Sequence, residues 1–199
     1  MDKLLEVLQD FNFTEAQINQ AKSGIQFRSV KSNVTLIDPY TTCTKLFFIL
    51  EGGFVCRKLN PNNGEFKTIN FFLDDLHPFM TCVDSYFTGQ ETVCELRSVK
   101  ECTFIEVSKD HIDELVASDR RFLEFYTFLV TRAFIETVEM KQKLISLKPI
   151  ELYQDMITHF PQIIKSVPAV YIAEFIGISP EWLSKLKNKL KIKIKNYEL

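Results

Sequence analysis

Val167-Pro168-Ala169-Val170-Tyr171-Ile172-Ala173-Glu174-Phe175-Ile176-Gly177-Ile178-Ser179-Pro180-Glu181-Trp182-Leu183-Ser184-Lys185-Leu186 reads as two short amphipathic helices joined at Gly177. In the first, Val170, Ala173 and Ile176 recur at helical spacing, with Ile172 beside them, and mark a buried face. Small Ala173 lets a second helix cross closely, and Gly177 suits a turn that needs left-handed backbone. Ile178 packs down as a staple. Ser179 is placed to cap the next helix, and Pro180 fits its first helical position. Leu183, Leu186 and Leu190 form the inward stripe of that second helix. Its other face carries Ser179, Glu181, Trp182, Ser184, Lys185, Lys187, Asn188 and Lys189. Polar and basic side chains near a helix N-terminus are what contact with base edges and phosphates requires, so this is the layout of a helix-turn-helix. A helical hairpin packed on a core is the alternative. Trp182 also suits a partner contact or packing against neighbouring backbone.

The chain has 199 residues, enough for one large or two small domains, and a net charge of −2. Its apolar, aromatic and charged fractions are those of a globular protein. No apolar run reaches the length of a transmembrane helix. The N-terminus lacks an apolar signal core, so a cytoplasmic protein is expected, with no membrane partner. The five cysteines, Cys43, Cys56, Cys82, Cys94 and Cys102, are scattered and form no C-x-x-C pair. They read as small buried hydrophobes, and neither a metal site nor a cofactor is expected. Charge is distributed unevenly. Six lysines against two glutamates give residues 179–199 a net +4 and leave −6 on the rest. An acidic body with a basic end confines attraction for nucleic acid to that end, although a solvated lysine face has the same composition.

Working back from the motif, Glu151–Phe160 reads as a helix ended by Pro161, and Lys148-Pro149 marks a hinge. Arg121 to about Leu147 holds no Gly or Pro and repeats apolar residues at helical spacing. Phe122, Phe125, Leu129 and Ile135 cannot share one stripe with Tyr126, Val130, Phe134 and Val138. A long helix with two apolar faces packs on its own domain and on something else, and a symmetric partner helix gives a two-fold homodimer. Full burial within one subunit is the alternative. Lys109–Val116 is a shorter helix. Upstream, Leu46–Leu50, Phe54–Leu59, Phe66–Leu73, Thr92–Arg97 and Cys102–Val107 read as strands, and Asn60-Pro61-Asn62-Asn63-Gly64 predicts a hairpin. Short strands at this spacing suggest a barrel or jelly roll. Residues 2–10 and 14–22 read as short helices. The expected fold class is α+β. A sensor β-roll spans 1–118, a dimerisation helix 119–147 and a helix-turn-helix domain 148–199. Lys191-Ile192-Lys193-Ile194-Lys195 alternates like one strand of a partial wing.

A β-roll, a long helix and a C-terminal helix-turn-helix together resemble the Crp/Fnr family of bacterial transcription regulators, and the resemblance covers nearly the whole chain. Its sharpest pieces are Leu46-Phe47-Phe48-Ile49-Leu50-Glu51-Gly52 and Tyr171 to Lys185. Phe160-Pro161 followed by Val167-Pro168 resembles a run common in Bacteroidetes-type members. The resemblance implies an effector-binding β-roll, a dimerising helix, double-stranded DNA as ligand and RNA polymerase as a further partner. It places Pro180, Glu181 and Lys185 at base-facing positions. The family usually has Arg at the first and often at the last. Pro180 offers no side-chain hydrogen bond and Lys185 lacks the bidentate fork, which implies altered readout.

The sensor departs further. Cyclic-nucleotide-binding members carry a Gly-Glu pair and then an Arg-Ser/Thr-Ala triplet. Aligned on Gly89-Gln90-Glu91, Thr81-Cys82 and Thr92-Val93-Cys94 stand in those places. No Lys or Arg falls between residues 79 and 96, and Asp84, Glu91 and Glu95 repel a phosphate. A non-nucleotide small-molecule effector, or none, is therefore expected. Phe79, Met80, Val83, Tyr86, Thr92 and Cys94, with Phe87 nearby and Thr137 from the long helix, are candidate pocket residues; the same side chains also fit ordinary barrel filling. The second functional reading is a ligand-binding or protein-interaction module that has lost sequence-specific DNA binding. An enzyme is not expected: His77, His111 and His159 are far apart, and no catalytic triad has a local signature.

Overall fold

A computed structural model describes residues 2–197. Two short helices, α1 (Asp2–Asp10) and α2 (Glu15–Lys22), precede the sheets, and Thr14 caps the second through a capping box with Gln17. Eight strands follow: β1 (Ile25–Val30), β2 (Thr35–Ile37), β3 (Lys45–Glu51), β4 (Gly53–Leu59), β5 (Phe66–Leu73), β6 (Phe79–Met80), β7 (Cys94–Ser98) and β8 (Cys102–Ser108). A one-and-a-half-turn helix, α3 (Val83–Thr88), sits between β6 and β7. The strands make two antiparallel four-stranded sheets, β1-β8-β3-β6 and β2-β7-β4-β5, packed face to face as a β-roll.

Alternation along the strands decides what fills the roll. Phe47, Ile49, Phe54, Cys56, Phe72, Met80, Cys94, Leu96 and Phe104 turn inward and form one buried cluster with Cys43, Cys82 and Cys102. The β3–β4 turn needs Gly52, which has φ +109 and lies so near β8 that a Cβ would stand 2.7 Å from the Glu101 carbonyl oxygen. The Asn60–Gly64 turn closes the β4–β5 hairpin as expected, with Leu59 opposite Phe66.

Helix α4 (Lys109–Ser118) leads into α5 (Arg120–Ser146), a 27-residue helix. The two-faced expectation for α5 is seen. Phe122 is buried and Phe125 half-buried against Phe11, Phe13 and the outer face of the first sheet. Leu123, Phe128, Val130, Phe134, Ile135, Val138 and Ile145 are exposed on the single chain. Ile135 therefore joins the outer set, away from Phe122. The C-terminal unit comprises α6 (Pro149–His159), α7 (Pro161–Ser166), α8 (Ala169–Ile176) and α9 (Pro180–Tyr197). Its core is continuous with the outward face of the second sheet, where Val55, Phe71 and Leu73 meet Tyr153, Ile163 and Phe175. Among the described residues, no helix is long and apolar enough to cross a membrane.

The structure corrects several expectations. Strands β1, β2 and β6 and helix α3 are additional, and Pro161 opens α7 as well as ending α6. Strand β1 reads Ile-Gln-Phe-Arg-Ser-Val and is largely solvent-facing, so it lacks the apolar alternation that marks a strand; pairing with β8 holds it. Residues 191–195 are not a wing strand. They continue α9 as helix. No Gly or internal Pro interrupts that run, so elongating an existing helix costs less than leaving an unpaired strand's backbone groups unsatisfied.

Candidate nucleic-acid interface

Two local devices set the helix-turn-helix. Gly177 ends α8 with φ +79, where only glycine is unstrained, and the Ile178 N–H donates to the Ala173 carbonyl at 3.0 Å. Ser179 then opens α9: its hydroxyl accepts from the Trp182 N–H at 3.2 Å, and its carbonyl accepts from the Leu183 N–H at 3.0 Å. Ile172, Ala173, Phe175 and Ile176 of α8 and Leu183, Leu186 and Leu190 of α9 are buried together. Val170, expected on that inward face, is exposed, and Phe175 takes the buried place.

The packing leaves a polar face on α9. Ser179, Pro180, Glu181, Trp182, Ser184, Lys185, Asn188 and Lys189 are exposed. Lys187 departs from the set: it is half-buried, with Nζ 6.0 Å from the centre of the Tyr153 ring. Hydrogen bonding to Ser179 lowers the Glu181 pKa, so the exposed face of α9 carries one carboxylate among its lysines.

The opposite side of α8 is clamped to the β-roll. Arg57 of β4 donates from Nε and Nη2 to the two Glu174 carboxylate oxygens of α8, at 3.0 and 2.9 Å. Its Nη1 donates to Glu95 of β7 at 2.6 Å, and the Thr68 hydroxyl of β5 donates to Glu174 at 2.8 Å. Phe66 and Tyr171 cover the guanidinium at 4.9 and 5.2 Å. Glu95 is 2 % exposed and also takes two hydrogen bonds from Arg97. Burial pulls the Arg57 pKa down, but the two carboxylates outweigh it and hold the group charged. These residues were missing from the sequence reading. Their signal was present: Glu174 is the one charged residue in α8, and Arg57 follows a strand segment that is otherwise apolar.

The candidate effector residues do not converge. Met80 and Cys94 fill the roll interior. Phe79 faces the helices on the other side of its sheet, its ring tilted against Phe48 with centroids 4.7 Å apart. Val83 and Phe87 are exposed, and Thr137 lies on α5, donating to its own helix. Tyr86 is buried under the Lys109 ammonium. The Thr92 hydroxyl is bonded to Asp84, whose carboxylate also takes the Ser85 N–H. The start of α3 thus carries its own anion. An apolar cavity of about 90 Å³ lies elsewhere, outside the roll, where Leu8, Ile25, Phe48, Ile105, Leu115 and Phe122 meet.

No protein-family model and no curated protein matches this chain. Solved structures do. The c-di-GMP-responsive global regulator CLP of Xanthomonas campestris superposes with a TM-score of 0.67 at 14 % identity, over 90 % of this chain and 93 % of that one. FixK2 of Bradyrhizobium japonicum gives 0.70 at 10 % identity, over 85 % of each chain. A protein of Eubacterium rectale described as a Crp/Fnr-family transcriptional regulator gives 0.68 at 11 % identity, over 92 % of this chain and 85 % of that one.

This chain has the Crp/Fnr fold.

The expected architecture of β-roll, long helix and C-terminal helical unit is therefore borne out, apart from the wing. Two of these neighbours, those of Xanthomonas campestris and Eubacterium rectale, are named as regulators. Within the Crp/Fnr fold of this chain, α5 is the long helix, α8 and α9 are the helix-turn-helix, and Arg57 joins the roll to α8.

Proposed function

We propose that this chain is a cytoplasmic, homodimeric DNA-binding transcription regulator in which α9 reads the major groove. The observation that carries the reading is the α8–Gly177–Ser179–α9 unit. It buries its leucines and leaves Glu181, Trp182, Ser184, Lys185, Asn188 and Lys189 on one exposed face. Lys185 and Lys189 supply phosphate contact, while Glu181 and Ser184 can accept from or donate to base edges. The exposed outer stripe of α5 supports a two-fold dimer, since Leu123, Val130, Phe134 and Val138 follow one another at helical spacing with no cover on the single chain.

The effector, if one acts, is not a cyclic nucleotide. Asp84 occupies the α3 end, and phenylalanines and cysteines pack the roll interior. Selection of bound fragments from genomic DNA tests the function. A recurring inverted repeat with half-sites about one helical turn apart is expected. Recovery of no enriched sequence, together with a stable protein partner, favours the interaction-module reading.

A further inference from the structure

Cys56 on β4 and Cys94 on β7 both face the interior of the β-roll and belong to one buried cluster. Their strands are direct neighbours, with Cys56 opposite Leu96 and Lys58 opposite Cys94, so the two cysteines are diagonal partners on one face. On the other face, between them, stand Arg57 and Glu95, opposite each other in the same register. The dithiol and the Arg57–Glu95–Glu174 network are thus back to back on adjacent residues of the same two strands. A register irregularity in the β4–β5 pairing falls at Cys56/Arg57, so the backbone there is already out of regular pairing. All five cysteines are free; Cys56 and Cys94 are 6 % and 7 % exposed, whereas the other three are 1 % exposed each.

We propose that Cys56 and Cys94 are a hydroperoxide-oxidised dithiol whose disulfide resets the grip of Arg57 on Glu174. The neighbouring Cys56, with smaller help from Thr92 and Lys58, lowers the Cys94 thiol against burial and Asp84, while Cys94 and burial push the Cys56 thiol up, so Cys94 is the attacking sulfur of the pair. Its thiolate attacks one oxygen of hydrogen peroxide. An S–O bond forms, the O–O bond breaks, and the departing hydroxide takes up the proton that Cys94 released and leaves as water. The Cys56 sulfur then displaces the hydroxyl from the sulfenic acid. The S–S bond forms, the S–O bond breaks, and a second water leaves with the Cys56 proton. Two thiols are oxidised by two electrons and one peroxide is reduced by two.

Geometry gives this bond a consequence. Diagonal strand partners stand ~7–8 Å apart between Cα atoms, whereas a disulfide holds them within ~7 Å. Closing it draws β4 and β7 together beneath Arg57 and Glu95, whose 2.6 Å contact sets the guanidinium that holds α8. The effect on DNA rests on the regulator reading above; the disulfide does not.

The test uses the full reduced chain. It is exposed to hydrogen peroxide, denatured, alkylated and mapped by mass spectrometry. The expected product links the Cys56 and Cys94 peptides, lighter by two hydrogens, reverses with dithiothreitol and leaves Cys102 alkylated. Cys94→Ser and, as a milder replacement, Cys56→Ala each abolish it. Hydrogen exchange across α8 is expected to become about tenfold faster on oxidation of the wild type and to stay unchanged in either variant. Alkylation of all five thiols, or a link confined to Cys43 and Cys82, overturns the assignment. A Cys56–Cys94 disulfide with unaltered α8 exchange overturns the coupling. Absence of DNA binding in both redox states, with the disulfide formed, counts against the regulator reading alone.

Discussion

Arg57 of the β-roll and Glu174 of α8 form a two-pronged ion pair, with nitrogen–oxygen distances of 3.0 and 2.9 Å, across the junction between the roll and the helix-turn-helix. The third guanidinium nitrogen is committed to Glu95, which has almost no contact with solvent. Removing the cation therefore leaves Glu174 with only the Thr68 hydroxyl and buried Glu95 with Arg97 as its remaining cation. Arg57→Ala is expected to lower the unfolding free energy by ~3–5 kcal/mol, whereas Glu174→Gln, which leaves no buried charge alone, costs about 1 kcal/mol. Paired urea melts read both values. Equal and small losses in the two variants would show that the network behaves as a surface ion pair.

Gly177 isolates the backbone contribution of the turn. Its φ is +79, and a Cβ built there meets no atom within 4 Å, so Gly177→Ala tests conformation without crowding. A loss of ~1–2 kcal/mol is expected by thermal or chemical melting, with α9 intact by circular dichroism. No loss would mean that the turn tolerates an ordinary side chain.

Phe134 tests the proposed dimer. It is 67 % exposed on the single chain and lies in the outer stripe of α5. Phe134→Glu is expected to sediment as a folded monomer while the parent sediments as a dimer, because a charge placed in an apolar seam has no partner. A monomeric parent, or a variant that stays dimeric, contradicts the assignment of α5.

His77 predicts the direction of one pH effect. It stands 2.9 Å from Glu136, joining the loop before β6 to α5. Burial lowers its pKa, Glu136 pulls the other way, and Arg132 adds to the lowering. With the folded pKa below the unfolded one, the unfolded chain binds a proton that the folded chain does not. Stability from this group is thus full above the unfolded pKa and falls as the pH drops through it. His77→Gln is expected to lose less stability than the parent between about pH 7.5 and about 5.5. Parallel or steeper loss in the variant contradicts that sign.

Most of the fold was legible because its signals are periodic and local. The Asn60–Gly64 turn, the gap-free α5 and the Gly177–Ser179 junction each state their structure within a few residues. Strand β1 was not legible, since Gln26, Arg28 and Ser29 are polar on a strand whose pairing comes from β8, distant in sequence. The wing was misread because Lys-Ile alternation suits a strand by period, while helix elongation depends on what precedes it. The exposed polar face of α9 followed from its helical period, with only Lys187 turned aside onto Tyr153. The Arg57–Glu174 contact was hidden for another reason. It joins residues 117 apart, and no local pattern encodes such a pair.

The central claim is that the exposed face of α9 binds duplex DNA. Its most direct test is a salt titration of affinity for a selected duplex against bulk DNA, with the parent, Lys185→Ala and Lys189→Ala. The account predicts preference for the selected duplex and a steep fall of log affinity with log salt. Each substitution should make that slope shallower by about one. Equal affinity for any duplex, with a salt dependence unchanged by either substitution, would contradict it.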